Sequence, residues 1–381
     1  MPNKPSKNSR CPCGRGKKYR KCCGKKSPSD SEIKEVVEIF RRREAERQAF
    51  TERYGHARPP QAVRTGGKIF TVLEGGIYSQ TQEGPYNFLN AIHDHALHFF
   101  GIDYLEQEEE KPFNQRNTAI QWMQSYVDHM QEFKRQGKNA EIEGQVGVGA
   151  AWFRFAYDLF TIRDNAKVEK RLKERLLVNR NFQSARYELW VASICITAGF
   201  DLDFEDETDT SNRHPEFIAT DRHSPAKIAV EAKSRHRRGV QGFAGGADIK
   251  PGNKVDIRGI VLDGYKKSSA FPLYIFVDVN LPPIEEIDVW QRWKQEIDVA
   301  MSDLAAEGCA DPCPANIVFF TNDPSHYVGT GRIGNDSGQL WMMYFEAKTP
   351  RVCHPETDIC GRLMKAYEQR RSPPDNFPEF S

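Results

Sequence analysis

The apolar positions of this chain change their period as it proceeds, and each change predicts a different kind of element. Ile33, Val36, Val37 and Phe40 recur at i, i+3, i+4 and i+7 on a charged segment that runs on through Arg41-Arg42-Arg43, the stripe of an amphipathic helix. Pro59-Pro60 and Gly66-Gly67 break that pattern. Beyond them Lys68 to Leu73 reads as a short strand, and aromatic and aliphatic spacing predicts helices over 86–100, 117–133 and 150–160. A long charged helix is expected from Ala166 to near Val178. A second should run from about Ser184 to Ala198, closed by Gly199 as its C-cap. Strands then take over at 201–204, 216–219, 227–232, 273–279 and 317–321. The later ones are apolar throughout, as strands covered on both faces are. With 287–306 as a crossover helix, the pattern predicts an α/β fold: a mixed β-sheet flanked by helices, preceded by an α-rich module.

These breaks divide the 381 residues, enough for two or three folded units, into five stretches. They are a Cys-rich segment at 1–26, a helical linker at 27–60, the α-rich module at 61–165, the α/β domain at 166–350 and a tail at 351–381. Pro373-Pro374 and few aliphatics make the tail a candidate for partial disorder. The net charge of +1 conceals an asymmetry, because residues 1–26 hold ten lysines and arginines and no acidic side chain. Such a basic head calls for an acidic partner, nucleic acid or protein. With no run of about 18 apolar residues and no apolar secretory stretch, the chain is expected to be soluble and cytoplasmic, without a membrane partner.

Four of the nine cysteines, Cys11, Cys13, Cys22 and Cys23, lie in one short basic stretch at the spacing C-x-C-x8-C-C. Four soft ligands in so short a loop suit a structural, tetrahedral Zn²⁺ with no open position. Residues 10–24, including Gly16-Lys17-Lys18-Tyr19 between the ligand pairs, resemble the SEC-C motif. That motif occurs as a zinc-binding, chaperone-docking tail on the preprotein translocase ATPase and as an appendage elsewhere, so the resemblance implies zinc and a docking surface rather than a reaction. Two other groups invite a metal reading less strongly. His93, His95 and His98 fall on a half-apolar helix, and Cys309, Cys313, Cys353 and Cys360 are irregularly spaced. Both read as ordinary packing, as does Cys195 between Ile194 and Ile196.

The second chemical signal lies at 215–233. Alternation along Ile228-Ala229-Val230-Glu231-Ala232-Lys233 turns Ala229, Glu231 and Lys233 to one face and Ile228 and Val230 to the other. If Phe217-Ile218-Ala219 pairs antiparallel through a turn at 221–225, Glu216 reaches the same face and completes a two-carboxylate cradle for a hard divalent cation. Pro215-Glu216 followed by Glu231-Ala232-Lys233 resembles the PD-(D/E)xK nuclease superfamily over roughly residues 180–325, with Glu at 216 where Asp is commoner. The resemblance implies a restriction-endonuclease-like fold and a catalytic set of Glu188, Glu216, Glu231 and Lys233. Glu216 and Glu231 would hold Mg²⁺ or Mn²⁺, Glu188 on the preceding helix would assist, and Lys233 would orient the attacking water. Arg235, Arg237 and Arg238 continue from the site and suit nucleic-acid phosphates. Glu346-Ala347-Lys348 repeats the triplet without a preceding Pro-acid strand and is set aside. Two readings follow: a metal-dependent endonuclease acting on DNA, or a nuclease-like scaffold without catalysis that binds a protein or nucleic acid through its zinc motif.

Overall fold

A computed structural model of the protein describes residues 8–9, 18, 30–58, 62–65, 68–73, 76–81, 87–137, 146–166, 170–205, 213–238, 240–242, 255–283, 287–307, 312–332, 341–353 and 358–374. The described chain separates after Phe50 into two compact units. The first helix, α1, runs from Asp30 to Tyr54 and contains the predicted stripe.

Where one short strand was expected, the structure has an antiparallel three-stranded sheet of β1 (Ala62–Thr65), β2 (Lys68–Leu73) and β3 (Gly76–Thr81). The signal was present in the two-residue gaps Gly66-Gly67 and Glu74-Gly75, a spacing typical of tight hairpins. Six α-helices follow among the described residues: α2 (Phe88–Phe100), α3 (Ile102–Glu109), α4 (Thr118–Arg135), α5 (Gly147–Asn165), α6 (Lys170–Leu176) and α7 (Asn179–Thr197). The expected long helix at 166–178 is cut to the seven residues of α6 because Asn179 redirects the chain. Its side chain accepts from Thr118 N at 3.0 Å and donates to Arg116 O at 2.8 Å, which stops α6 and starts α7. At the far end of α7, Gly199 takes the left-handed φ of 94° expected of it.

A six-stranded mixed sheet carries the second half of the chain, in the order β4 (Phe200–Phe204), β5 (Phe217–Asp221), β6 (Lys227–Ser234), β7 (Leu273–Asp278), β8 (Ile317–Asn322) and β9 (Trp341–Glu346). β5 is antiparallel to both β4 and β6, β6, β7 and β8 run parallel, and β9 closes the far edge antiparallel. The parallel pairs are joined by α8 (Arg258–Gly264) and α9 (Ile287–Ala306). Every residue of β7 and β8 is buried, which explains their unbroken apolar runs.

Pleating divides the interior in two. Ile228, Val230, Ala232, Tyr274 and Phe276 join one apolar cluster with α2, α5 and α7, while Ala229, Ile275 and Val277 join a second with Val261 of α8 and Trp293 and Ile297 of α9. The tail expected to be disordered instead contains α10 (Ile359–Gln369), whose Ile359, Leu363, Ala366 and Tyr367 bury in the first cluster. Their spacing of i, i+4, i+7 and i+8 supplies an apolar stripe despite the few aliphatics.

Candidate functional site

β5 and β6 form the predicted hairpin. In its register Phe217 faces Val230 and Ala219 faces Ile228. The turn is held by Asp221, whose Oδ1 accepts from His223 N at 3.1 Å and whose Oδ2 accepts from Ser224 Oγ at 2.6 Å. Glu216 lies one residue before β5 and stays tied to the ladder, its N–H donating to Val230 O at 2.9 Å. The ladder is irregular there, because the Glu216 carbonyl accepts from Glu205 N on the other side, yet Glu216 lies close enough to Glu231 for their charges to repel.

Glu231 has no solvent exposure. Its Oε1 lies 2.8 Å from Lys233 Nζ and 3.2 Å from Lys267 Nζ, while Oε2 has no hydrogen-bond partner. Lys267 also donates to His214 O at 2.7 Å, and Lys233 reaches Asp263 Oδ2 at 3.1 Å. Burial raises the Glu231 carboxyl above the ordinary range against the pull of the two ammonium groups. Glu216 is pushed up to about 7, first by burial and then by the negative charge of Glu231. Burial works against the Lys233 ammonium, but Glu231 and Asp263 outweigh it and hold the proton on more firmly than usual. Two carboxyls that repel each other, one with a bare buried oxygen, can accept a divalent cation in place of protons.

Glu188 is buried on α7 and engaged by Arg175 of α6, Nη2 to Oε2 at 2.5 Å. The Arg175 charge also favours ionised Glu216, less than Lys267 does. Among the described residues no group of three or more His, Cys, Asp or Glu side chains gathers, which leaves Glu216 and Glu231 as the pair. Mg²⁺ is commonly held by one or two carboxylates, with water and substrate oxygens filling the remainder.

Lys267, Asp263 and Arg175 were not singled out in the sequence. Lys267 sits just past α8, and only the crossover between β6 and β7 brings it over Glu231. No local pattern announces that approach. The three arginines after β6 diverge in environment. Arg238 is exposed, Arg235 donates to Val255 O at 2.8 Å and lines a cavity of about 590 Å³ with Asp256, Arg258, Arg292 and Glu296, and Arg237 is buried.

The residues of the weaker metal signals differ in setting. His93 Nδ1 accepts from Trp152 Nε1 at 3.1 Å, and His95 is buried, its pKa lowered to about 3 by burial and by Arg163. Cys195 is wholly buried in the first apolar cluster. Cys313 is buried and Cys353 exposed, while Cys309 lies outside the described residues. Glu346, of the repeated triplet, is exposed on the edge strand β9. Cys11, Cys13, Cys22 and Cys23 also lie outside the described residues.

The SEC-C motif matches residues 8–25, a span that includes all four of those cysteines. No curated protein and no solved structure matches the chain. No helix among the described residues is long and apolar enough to cross a membrane.

Proposed function

We propose that this chain is a divalent-metal-dependent nuclease acting on DNA, with a restriction-endonuclease-like domain over 166–350 and a zinc-binding SEC-C segment at 1–26 that docks it on nucleic acid or a protein partner. The observation that carries the reading is Glu231: a fully buried carboxylate with a bare Oε2, close enough to Glu216 for their charges to repel and contacted by Lys233. The element order helix, three antiparallel strands, helix, parallel strand, from α7 through β7, supports it. So does the position of Glu188 on the helix before the first of those strands.

In this reading Glu216 and Glu231 hold Mg²⁺ or Mn²⁺, which supplies Lewis acidity at the scissile phosphate. Lys233 orients water and offsets charge developing on the phosphate oxygens. Lys267 favours the ionised form of Glu231 against the effect of burial, and Arg175 pairs with Glu188. The four cysteine thiolates would bind Zn²⁺ as a closed structural site. The test is nicking of supercoiled DNA by purified protein with Mg²⁺ or Mn²⁺. Glu231→Gln should lower the rate by roughly two orders of magnitude while leaving thermal unfolding in place. Equal rates for the two proteins would remove the assignment.

A second reading is favoured by one observation: Lys233 and Lys267 both already contact Glu231, closing an ion-pair cluster without a metal. On that reading the domain is a binding scaffold and the SEC-C segment its docking head. No cleavage under any divalent metal, with partner capture that depends on Cys11 and Cys22, would favour it.

A further inference from the structure

The carboxyl ends of β6, β7 and β8 hold a concentration of buried charge in which every arginine but one has an acidic partner. Arg154 pairs with Asp323, Arg186 lies 3.4 Å from Asp278 and 3.8 Å from Asp323, and Arg370 pairs with Asp158 at 2.5 Å. Arg237, three residues beyond β6, is only 9% exposed and makes no side-chain hydrogen bond or ion pair with a described residue, and its Nε and Nη2 are both buried and unpartnered. A buried cation left this way costs several kcal/mol unless an anion joins it.

The two free donors lie on one edge of the guanidinium, the side-on fork that takes two oxygens of an oxyanion. Four residues on, Gln241 is buried with both amide atoms unpartnered, and it holds a left-handed φ of 47°. Arg237 and Val240 are both held by one side chain of α7. Gln183 Nε2 donates to Arg237 O at 2.9 Å and to Val240 O, and its Oε1 accepts from Arg237 N at 3.0 Å. The loop's far end packs Gly242, φ 76°, against Asn179 and Thr118, where a Cβ would meet Asn179 at 2.7 Å. The backbone that carries the donors is therefore anchored before any ligand arrives, at the strand ends where α/β sheets receive their ligands.

We propose that this loop is a phosphate-binding site, the side-on edge of Arg237 receiving two phosphate oxygens and the Gln241 amide a further one. Burial and the neighbouring Arg235 both disfavour the bare Arg237 cation, so a phosphate dianion relieves two penalties at once. The site needs no divalent cation.

The test is calorimetric titration of the full chain with inorganic phosphate, without added divalent metal. Saturable binding at one site per chain is expected. It should weaken by roughly tenfold or more in Arg237→Met, as loss of a charge-assisted pair requires, and by less in Gln241→Leu. Unliganded Arg237→Met should unfold at or above the wild-type temperature, because the side chain has no protein partner to lose. Two further ligands identify the source of the phosphate. Tighter binding of a 5′-phosphorylated than of a 5′-hydroxyl oligonucleotide assigns it to a strand end, whereas equal binding of the two with inorganic phosphate retained assigns it to the free ion. Absence of saturable phosphate binding, unchanged affinity in Arg237→Met, displacement by acetate at equal concentration, or an Arg237→Met chain that unfolds early or fails to fold would each overturn the site.

Discussion

A carboxylate removed from water stays ionised only where neighbours repay the lost hydration, and buried acids in this protein separate by how fully that happens. Glu231 has two lysines on one oxygen and none on the other, and its carboxyl remains raised. Asp278, held by Ser234 and Arg186, is still pushed up to about 6 by burial. Burial also acts on Asp323, yet Arg154 and Arg186 outweigh it and hold the carboxyl well below the usual range. Removing that one negative charge would leave buried Arg154 without an acidic partner and Arg186 with Asp278 alone. Asp323→Asn should therefore destabilise the fold by about 3–5 kcal/mol, read from the urea midpoint, whereas substitution of an exposed acid such as Glu132 should cost within about 0.5 kcal/mol. At this scale the sequence was half legible. Alternation in β6 correctly separates the Glu231 side from Ile228 and Val230, because strand period is local. The partners Lys267 and Arg175 were not legible, because they arrive from other elements and no spacing within the chain encodes the approach.

At the scale of elements, five strands of the six-stranded sheet lie within two residues of their expected bounds, since each is a short apolar run between polar breaks. The sixth, β9, was not expected, although Trp341 to Phe345 is an unbroken apolar run; as an edge strand it leaves Tyr344 and Glu346 exposed. Helix α10 was obscured by the prolines that follow it, although its stripe buries against α7. Its attachment also has a polar component. Arg362 grips Asp221 at the β5 turn through two hydrogen bonds of 2.9 and 3.0 Å. Burial alone would raise Asp221, but Arg362 and Ser224 reverse the effect and lower its pKa to about 2. A carboxyl depressed in the folded state adds stability above its unfolded value of about 3.9 and loses it as pH falls through the folded value. Stability should thus decline between pH 4 and pH 2, and Arg362→Met should flatten that decline when urea midpoints are measured across the range. An identical slope in the variant would show that Asp221 is not the group responsible.

Taken whole, the molecule divides its charge as it divides its chain. The ten basic residues of 1–26 stand against no acids, whereas the remainder balances 44 basic against 53 acidic side chains, subtracting ten from the 54 lysines and arginines of the full sequence. A basic head on an acidic body draws the head toward polyanions and keeps the body from binding them indiscriminately, so any phosphate contact by the body must come from local clusters such as Lys233, Lys267 and Arg237. The described chain separates after Phe50, short of every element that carries the hairpin site. A stretch as small as 1–26 has no room for an apolar core, and a metal would supply most of its folding free energy. The two parts should therefore lose structure independently. Elemental analysis should find one zinc per chain, and none in Cys22→Ser. Removing that zinc should leave the main thermal transition within about 2 °C of its original midpoint, the displacement that ~1 kcal/mol gives in a unit of this size. A larger displacement would mean that the metal-bearing segment stabilises the α/β body directly, and the head would then be part of the fold rather than a docking appendage.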